Sequence, residues 1–250
     1  MIYIMTHAGE GKSISEDAVL VGGQLYSDIT ETAEIPEDGI ICVADGVGGN
    51  NAGEEAAAFV LNSLADCGWE DDTVLREKLA EINDHLIEKS KEAPSYSNMA
   101  TTLSGICVKD GAMKLLHIGN TRIYALQGHY LKQLTSDHTV YNWLKSLGRL
   151  EEAEACNKNE ITSCFGGGDE KLIQKLQIQP VNAVKTLLIT SDGIHEYVSI
   201  DDLEDILNSD IPNDEKCTAI QEAAQNAGSI DDMTAVLICL QDKEKAKVSG

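Results

Sequence analysis

The sequence of 250 residues has little proline, few aromatic residues and little basic charge. It contains four prolines, and aromatic residues make up 4% of it. The scarcity of proline, together with an apolar fraction of 42%, excludes a disordered chain. The formal net charge is −23, so neither a nucleic acid nor an anionic membrane surface is expected as a partner. Cations suit so acidic a protein better.

Long apolar runs and paired cysteines are also missing. Nowhere do 18 apolar residues follow one another, and the apolar run at the N-terminus is too short for a signal peptide. The seven cysteines are scattered singly, without a C-x-x-C pair, which indicates neither a zinc site nor a disulfide framework. We therefore expect a cytoplasmic protein that does not span a membrane.

Short apolar runs of strand length recur along the chain. They cover residues 39–44, 101–108, 112–118, 121–126, 184–190 and 233–240. Between the first and second runs, apolar residues recur at helical spacing over 56–64 and 75–86. Tight turns at 109–111 and 127–128 predict an antiparallel meander in the central part. The grouping of strands and helices predicts an α+β fold in which packed sheets are covered by helices.

The chain length is near the upper end of one compact domain, and no linker or internal repeat divides it. We predict a single domain over residues 1–241 and a charged tail over 242–250. The segment 141–170 has mixed helical character and ends near three successive glycines. Packing in the core is one interpretation of Trp143 in this segment.

Two apolar strands each run into an aspartate followed by glycine, at Asp45-Gly46 and at Asp192-Gly193. The first pair opens a glycine-rich turn over 46–49, where a ligand can approach the backbone closely. A carboxylate at the end of a rigid strand is a good oxygen ligand for magnesium or manganese. The acidic pairs Glu16-Asp17 and Asp231-Asp232 are further candidates. Each signal alone is weak, because Asp-Gly is a common turn sequence.

Seven short motifs follow one another along the chain. They are Ser15-Glu16-Asp17, Ala44-Asp45-Gly46-Val47-Gly48-Gly49, Met99-Ala100-Thr101-Thr102-Leu103, Gly119-Asn120-Thr121-Arg122, Leu134-Thr135-Ser136-Asp137-His138, Ser191-Asp192-Gly193 and Asp231-Asp232-Met233-Thr234. In order and spacing they resemble the type 2C metal-dependent serine/threonine protein phosphatases, from about residue 6 to residue 240. The resemblance implies a four-layer αββα sandwich of two mainly antiparallel sheets with helices on each outer side.

The resemblance also implies a mechanism. Two divalent metal ions, manganese or magnesium, would hold a bridging water that attacks phosphoserine or phosphothreonine in protein substrates. Asp45 matches the carboxylate that bridges both ions, and the carbonyl group of Gly46 completes one of them. Asp192 and Asp231 match ligands of the other ion.

Three residues near the N-terminus have implied roles beside the ions. Glu16 and Asp17 resemble the pair that orients metal-bound waters, so Asp17 is a predicted catalytic residue and Glu16 is predicted to act through water. Lys12 stands where the family usually has an arginine that clamps the phosphate. Lysine keeps the charge but loses the bidentate fork, which would weaken substrate binding. A solvated surface lysine is the alternative interpretation.

Other positions depart from the family pattern. Val47 takes the place of a histidine that some members are proposed to use as a general acid. Asn120 stands where the family has an aspartate associated with a third, loosely held ion, and Glu196 replaces a second aspartate there. The third site is therefore predicted to be altered or absent, and turnover to be slow if it needs that ion. His138 is predicted to hold its turn by a hydrogen bond.

Two functions from different classes remain open at this point. The first is a working phosphatase that acts on phosphorylated proteins and opposes a bacterial-type serine/threonine kinase. The second is a binding or regulatory module with the same fold and weak or no catalysis. The retention of Asp45, Asp192 and Asp231 at ligand positions favours the enzyme. In the resembled family the segment 141–170 forms a flap beside the active site, where it would contact the substrate.

Overall fold

The computed structural model describes residues 1–47, 52–65, 71–182 and 184–240 of the chain. The end of the predicted glycine-rich turn, at residues 48–49, and the predicted tail over 242–250 lie outside the described residues. Among the helices of the described part, none is both long and apolar enough to cross a bilayer.

The described residues form fourteen strands and seven α-helices. The strands are β1 (Ile2–His7), β2 (Asp17–Val21), β3 (Gln24–Tyr26), β4 (Ile29–Ala33), β5 (Gly39–Asp45), β6 (Ala100–Thr101), β7 (Leu103–Lys109), β8 (Ala112–Ile118), β9 (Arg122–Gln127), β10 (Tyr130–Gln133), β11 (Phe165–Gly166), β12 (Gln177–Val181), β13 (Thr186–Thr190) and β14 (Met233–Cys239). The helices are α1 (Gly53–Ala65), α2 (Asp72–Lys89), α3 (Val140–Ser146), α4 (Leu150–Ala155), α5 (Asp192–His195), α6 (Ile200–Asn208) and α7 (Asn213–Asn226). Short 3₁₀ helices cover Pro94–Tyr96 and Glu170–Lys175.

Two six-stranded antiparallel sheets contain most of the strands. The strand order is β10-β9-β13-β14-β1-β4 in one sheet and β12-β8-β7-β5-β2-β3 in the other. One cluster of apolar side chains lies between the two sheets. A second lies between one sheet and its helices, and a third lies between the other sheet and its helices. The protein is therefore a four-layer sandwich, and the predicted α+β class is confirmed.

The sequence of strand β14 is almost continuously apolar because both faces of the strand are buried. Its side chains alternate between the two faces of the sheet. Val236 and Ile238 belong to the core between the sheets, whereas Ala235 and Leu237 pack under the helices. Because both faces are covered, apolar residues are required at successive positions, as in the other buried strands.

The predicted central meander is wrong in its topology, although both hairpin turns are present. β7 pairs with β8 and β9 pairs with β10, but the two hairpins belong to different sheets. The chain crosses between the sheets at Gly119, which has a φ of 108°. A Cβ atom there would lie 2.5 Å from Thr102 Cγ2, so only glycine fits at the crossing.

The segment 141–170 contains α3, α4 and β11, with helical structure in its first half as predicted. The α3 helix buries Leu144, but Trp143 remains 46% exposed. A core-packing role for Trp143 is therefore wrong, because this short helix turns only one side toward the core. At the other end of the segment, Phe165 is fully buried and pairs with Thr101 of β6.

Candidate functional site

The carboxylates predicted to bind metal come from strand ends in both sheets. Asp17 begins β2 and Asp45 ends β5, and the two residues lie directly opposite each other in that antiparallel pair. Asp192 follows β13 and Asp231 precedes β14, and these two strands are also neighbours. The packing of the two sheets brings the four side chains close enough for their charges to interact.

Backbone contacts fix the position of Asp45. Its N–H donates to Thr102 Oγ1 over 3.1 Å, and its carbonyl oxygen accepts from the Thr102 N–H over 2.9 Å. The N–H of Gly46 then donates to the carbonyl oxygen of Glu16 over 3.1 Å. A Cβ atom on Gly46 would lie 2.5 Å from the backbone of Gly53, which explains the glycine after this aspartate.

Burial and mutual repulsion disfavour negative charge on three of the site carboxyl groups. Burial raises the pKa of Asp17 to about 8 and the pKa of Asp192 to about 6. The pKa of Asp45 lies well above its usual range, first because of burial and then because of the charges of Asp192 and Asp17. A positive charge brought into this region would relieve the repulsion.

Three oxygen atoms of the predicted site are buried without a hydrogen-bond partner: Asp17 Oδ2, Asp45 Oδ2 and Asn120 Oδ1. Buried polar atoms nearly always have a partner, so these atoms point to a missing one. An all-oxygen set of acceptors suits hard cations such as magnesium and manganese. The residues therefore fit a divalent ion, although among the described residues no three Asp, Glu, His or Cys side chains converge to enclose one.

Lys12 lies among the carboxylates. Its Nζ is 3.0 Å from Asp231 Oδ1, 3.0 Å from Asp232 Oδ2 and 3.3 Å from Glu16 Oε2. Although burial opposes its charge, hydrogen bonds to Asp231 and Asp232 raise the pKa of Lys12. Burial also raises the pKa of Glu16, and the charge of Lys12 opposes that shift. Lys12 is thus an exposed residue whose ammonium is held by carboxylates, and its contact with a phosphate stays a prediction.

Asp232 is a residue of this site to which sequence reasoning gave no role, since only its neighbour Asp231 was predicted to bind metal. Its side chain is only 5% exposed, against 50% for Asp231. It accepts hydrogen bonds from the N–H groups of Gly9 and Glu16, each over 2.8 Å. Two adjacent acids before a strand marked the location, but their sequence does not tell which of the two side chains turns inward.

Asn120 and Glu196, the predicted altered third-metal site, have different partners. Asn120 Nδ2 donates to Asp192 Oδ2 over 2.9 Å. Glu196 Oε1 lies 3.7 Å from Arg122 Nη2. That guanidinium is held mainly by Asp137, to which its Nε and Nη2 donate over 3.0 Å and 2.7 Å. Asn120 therefore turns toward the predicted metal ligand, and Glu196 turns toward the arginine.

His138 holds a turn by hydrogen bonds, as predicted, but this turn is the one that carries Asn120 and not its own. Its Nδ1 accepts from the N–H of Gly119 over 3.1 Å, and its own N–H donates to the Gly119 carbonyl oxygen over 2.8 Å. The ring stacks on His117 with 4.9 Å between centroids. Burial lowers the pKa of His138 to about 4, so Nδ1 remains an acceptor at neutral pH.

A cavity of about 160 Å³ separates the site from the segment 141–170. Asn120 and Arg122 line it on one side, and Tyr141 and Lys158 of the segment line it on the other. Lys158 Nζ lies 4.9 Å from the centroid of the Tyr141 ring. The polar lining can accommodate a side chain or backbone group of a peptide next to the carboxylates.

The chain is similar to known proteins over most of its length. The sequence profile described as protein phosphatase 2C matches residues 18–237. Protein phosphatase PhpP of Streptococcus pneumoniae serotype 2 is 35% identical over 222 residues, which cover 82% of this chain and 87% of that protein. Serine/threonine phosphatase stp of Listeria monocytogenes serovar 1/2a is 29% identical over 212 residues, with 80% and 83% covered. The crystal structure of the Mycobacterium tuberculosis serine/threonine phosphatase PstP/Ppp matches with a TM-score of 0.78 at 26% identity, covering 97% of this chain and 99% of that one.

Proposed function

This chain belongs to the protein phosphatase 2C family and is a protein serine/threonine phosphatase, and we propose which of its residues perform the reaction. The observation that carries the proposal is the pair Asp17 and Asp45, which face each other across β2 and β5 with one buried, unpartnered oxygen each. A scaffold that only binds other proteins has no need to bury carboxylates without partners, because each costs stability. The pair therefore supports the catalytic function over a binding module.

The proposed ligands of two divalent ions, manganese or magnesium, are Asp45, the carbonyl oxygen of Gly46, Asp192 and Asp231. When bound, such ions supply a water of lowered pKa as the nucleophile and neutralise part of the phosphate charge. The raised pKa values of Asp45 and Asp192 support this assignment, because a nearby cation would stabilise their ionised forms.

Asp17 and Glu16 are proposed to orient the attacking water, with Asp17 as an acceptor of its proton. Asp17 can accept a proton only when ionised, and near a cation its pKa would fall below the value of about 8 that burial gives it. Lys12 is proposed to contact the phosphate. No third ion is assigned to Asn120 and Glu196, because the Asn120 amide already donates to Asp192.

Phosphorylated proteins are the proposed substrates, and a serine/threonine kinase is the proposed opposing enzyme. The cavity between Asn120 and the segment 141–170 supports contact of this segment with the substrate chain. The formal charge of −23 argues against nucleic acids and membranes as partners. We also propose a cytoplasmic location, since the six cysteines that the structure describes are free thiols.

The proposal is tested by phosphate release from a phosphothreonine peptide with and without millimolar manganese. We expect manganese-dependent release by the native protein and its loss in Asp192→Ala. The matched control is Asp205→Ala, which removes an exposed carboxylate on α6 and should leave the rate unchanged. Absence of release from the native protein with every divalent metal tried would favour the binding module.

A further inference from the structure

The loop of residues 8–16, between β1 and β2, is fastened to the start of β14 by one carboxylate. Asp232 Oδ1 accepts from the N–H of Gly9, and Asp232 Oδ2 accepts from the N–H of Glu16 and from Lys12 Nζ. The loop approaches so closely that a Cβ atom on Gly9 would lie 2.2 Å from the carbonyl oxygen of Ile230. Asp232 thus fixes both the loop and the ammonium group that the loop carries.

Besides Glu16, the ammonium of Lys12 contacts two carboxylates of different character, Asp231 and Asp232. Asp231 is half exposed and is a proposed ligand of a metal ion. Asp232 is buried, and its oxygens face the loop. A cation bound at Asp231 would compete with the ammonium for that carboxylate, whereas Asp232 would keep it within reach of the site.

We propose that Asp232 is a positioning residue of the dephosphorylation reaction, which tethers Lys12 beside Asp231 so that its ammonium can bind the substrate phosphate. This inference rests on the proposed function and adds to it a residue outside the set of metal ligands. The pair is mostly withdrawn from water on the Asp232 side, so its attraction is less screened than in an exposed ion pair.

Only a carboxylate satisfies the three donors around Asp232. In Asp232→Asn, the NH₂ group of the side chain cannot accept a hydrogen bond. It would face either the N–H of Gly9, or the N–H of Glu16 and the ammonium of Lys12, depending on how the amide is turned. The variant therefore loosens the tether while keeping the size of the side chain. Its negative charge, which balances the ammonium, is also lost.

Asp28 provides a matched control, because it fastens the same loop without touching Lys12. Its Oδ1 accepts from the N–H of Ala8 over 2.8 Å, and its Oδ2 accepts from the N–H of Ser15 over 3.1 Å. Asp28→Asn disturbs two backbone hydrogen bonds of the loop, as Asp232→Asn does. Any effect that follows from the loop alone should therefore appear in both variants.

The experiment measures KM and kcat on a phosphothreonine peptide at saturating manganese for native protein, Asp232→Asn, Asp28→Asn, Lys12→Met and the Lys12→Met/Asp232→Asn double variant. We expect Asp232→Asn and Lys12→Met each to raise KM about tenfold, the size expected of one charged contact, with kcat changed less. Asp28→Asn should stay near native. In the Lys12→Met background, Asp232→Asn should add less than about twofold, since both act through the same contact.

Equal increases of KM in Asp28→Asn and Asp232→Asn, or a full effect of Asp232→Asn without Lys12, would overturn the inference. If Asp232→Asn does not fold, an unchanged KM in Lys12→Met overturns it instead. Manganese binding is followed in parallel by calorimetry, where Asp232→Asn should retain the native affinity within about threefold and Asp192→Ala should lose it. If native protein binds manganese and turns over substrate but KM is unchanged in every variant, only this inference is refuted. If native protein neither binds manganese nor turns over substrate, the proposed function is refuted.

Discussion

The side-chain amide of Asn120 donates a hydrogen bond to Asp192 Oδ2 across 2.9 Å. Burial and the charge of Asp231 raise the pKa of Asp192, and this hydrogen bond opposes them. The uncharged amide of Asn120 therefore stabilises the ionised form of Asp192, a proposed metal ligand. Its other polar atom, Oδ1, is buried without a partner.

Asn120→Asp would place a second carboxylate against Asp192. Two carboxylates at this separation cannot both be ionised unless a cation lies between them. We expect the variant to bind at least one more manganese ion than native protein in calorimetry. Its metal-free form should melt a few degrees lower at pH 7.5, since about 1 kcal/mol corresponds to ~2–4 °C in a chain of this size. A rise in turnover would show that the lack of a third ion limits the native enzyme.

The matched control for this variant is Asn120→Ala, which removes the hydrogen bond to Asp192 without adding charge. It should gain no ion. The same number of bound ions in native protein and Asn120→Asp would contradict the prediction.

The stability of the metal-free protein should fall as the pH rises from 6.5 to 8. Folded Asp17 keeps its proton up to a pKa of about 8, whereas an unfolded aspartate loses it near pH 3.9. The folded state therefore binds more protons in this window, so the free energy of unfolding decreases with pH. Buried His117 and His138 act oppositely at lower pH, because burial lowers their pKa values to about 4.

Urea unfolding in the presence of a chelator at pH 6.5, 7, 7.5 and 8 measures this slope. Asp17→Asn should make it shallower, and saturating manganese should abolish it. A free energy of unfolding that increases over this range would show that the site carboxylates are already ionised without metal.

Arg122→Lys should destabilise the protein by about 1–3 kcal/mol, because a lysine cannot reproduce the two parallel hydrogen bonds to a buried carboxylate. Arg122 Nε donates to Asp137 Oδ1 over 3.1 Å and Nη2 donates to Asp137 Oδ2 over 2.7 Å, and the Asp137 side chain is 9% exposed. The measurement is the free energy of unfolding in urea with manganese present.

Arg149→Lys is the matched control, because Arg149 also pairs with one carboxylate, Glu152, but both side chains are exposed. This change should cost less than about 0.5 kcal/mol, as is usual for exposed ion pairs. An equal decrease in the free energy of unfolding in Arg122→Lys and Arg149→Lys would mean that the burial of Asp137 does not strengthen its pairing with Arg122.

Gly193→Ala should lower both the stability and the affinity for manganese. A Cβ atom on Gly193 would lie 2.0 Å from the carbonyl oxygen of Asp232, so the start of α5 must move away from β14, and Asp192 moves with it. We expect a loss of about 2 kcal/mol or more from this overpacking. Gly23→Ala, where a Cβ atom meets nothing within 4 Å, should change neither quantity.

The positions of Asp45 and Asp192 next to strands were predictable, because each has a local signal in the sequence. Both follow apolar runs and precede glycine. In the structure Asp45 ends β5, and Asp192 begins α5 just after β13. The assignment of hairpins to sheets was not predictable, since β7–β8 and β9–β10 have the same local pattern. Only the crossing at Gly119, which depends on close contact with Thr102, separates them.

The partners of Lys12 were also beyond reach of the sequence. Its contacts with Asp231 and Asp232 exist because β1 pairs with β14, in a register that sets His7 opposite Met233. Pairing between strands so distant along the chain leaves no periodic pattern in either segment. An isolated lysine before an acidic motif therefore looked like a surface residue or a phosphate ligand, and its ion pairs could not be foreseen.

The central position of β14 has a consequence for biosynthesis. In its sheet β14 lies between β13 and β1, although it is the last strand along the described chain. A ribosome delivers β1 and β13 before β14, so these two strands have no neighbour on one side until β14 has left the exit tunnel. Unpaired strand edges invite aggregation, so the nascent chain is exposed to this risk until β14 has paired. Completion of the sheet and delivery of Asp231 and Asp232 to Lys12 both depend on the emergence of β14.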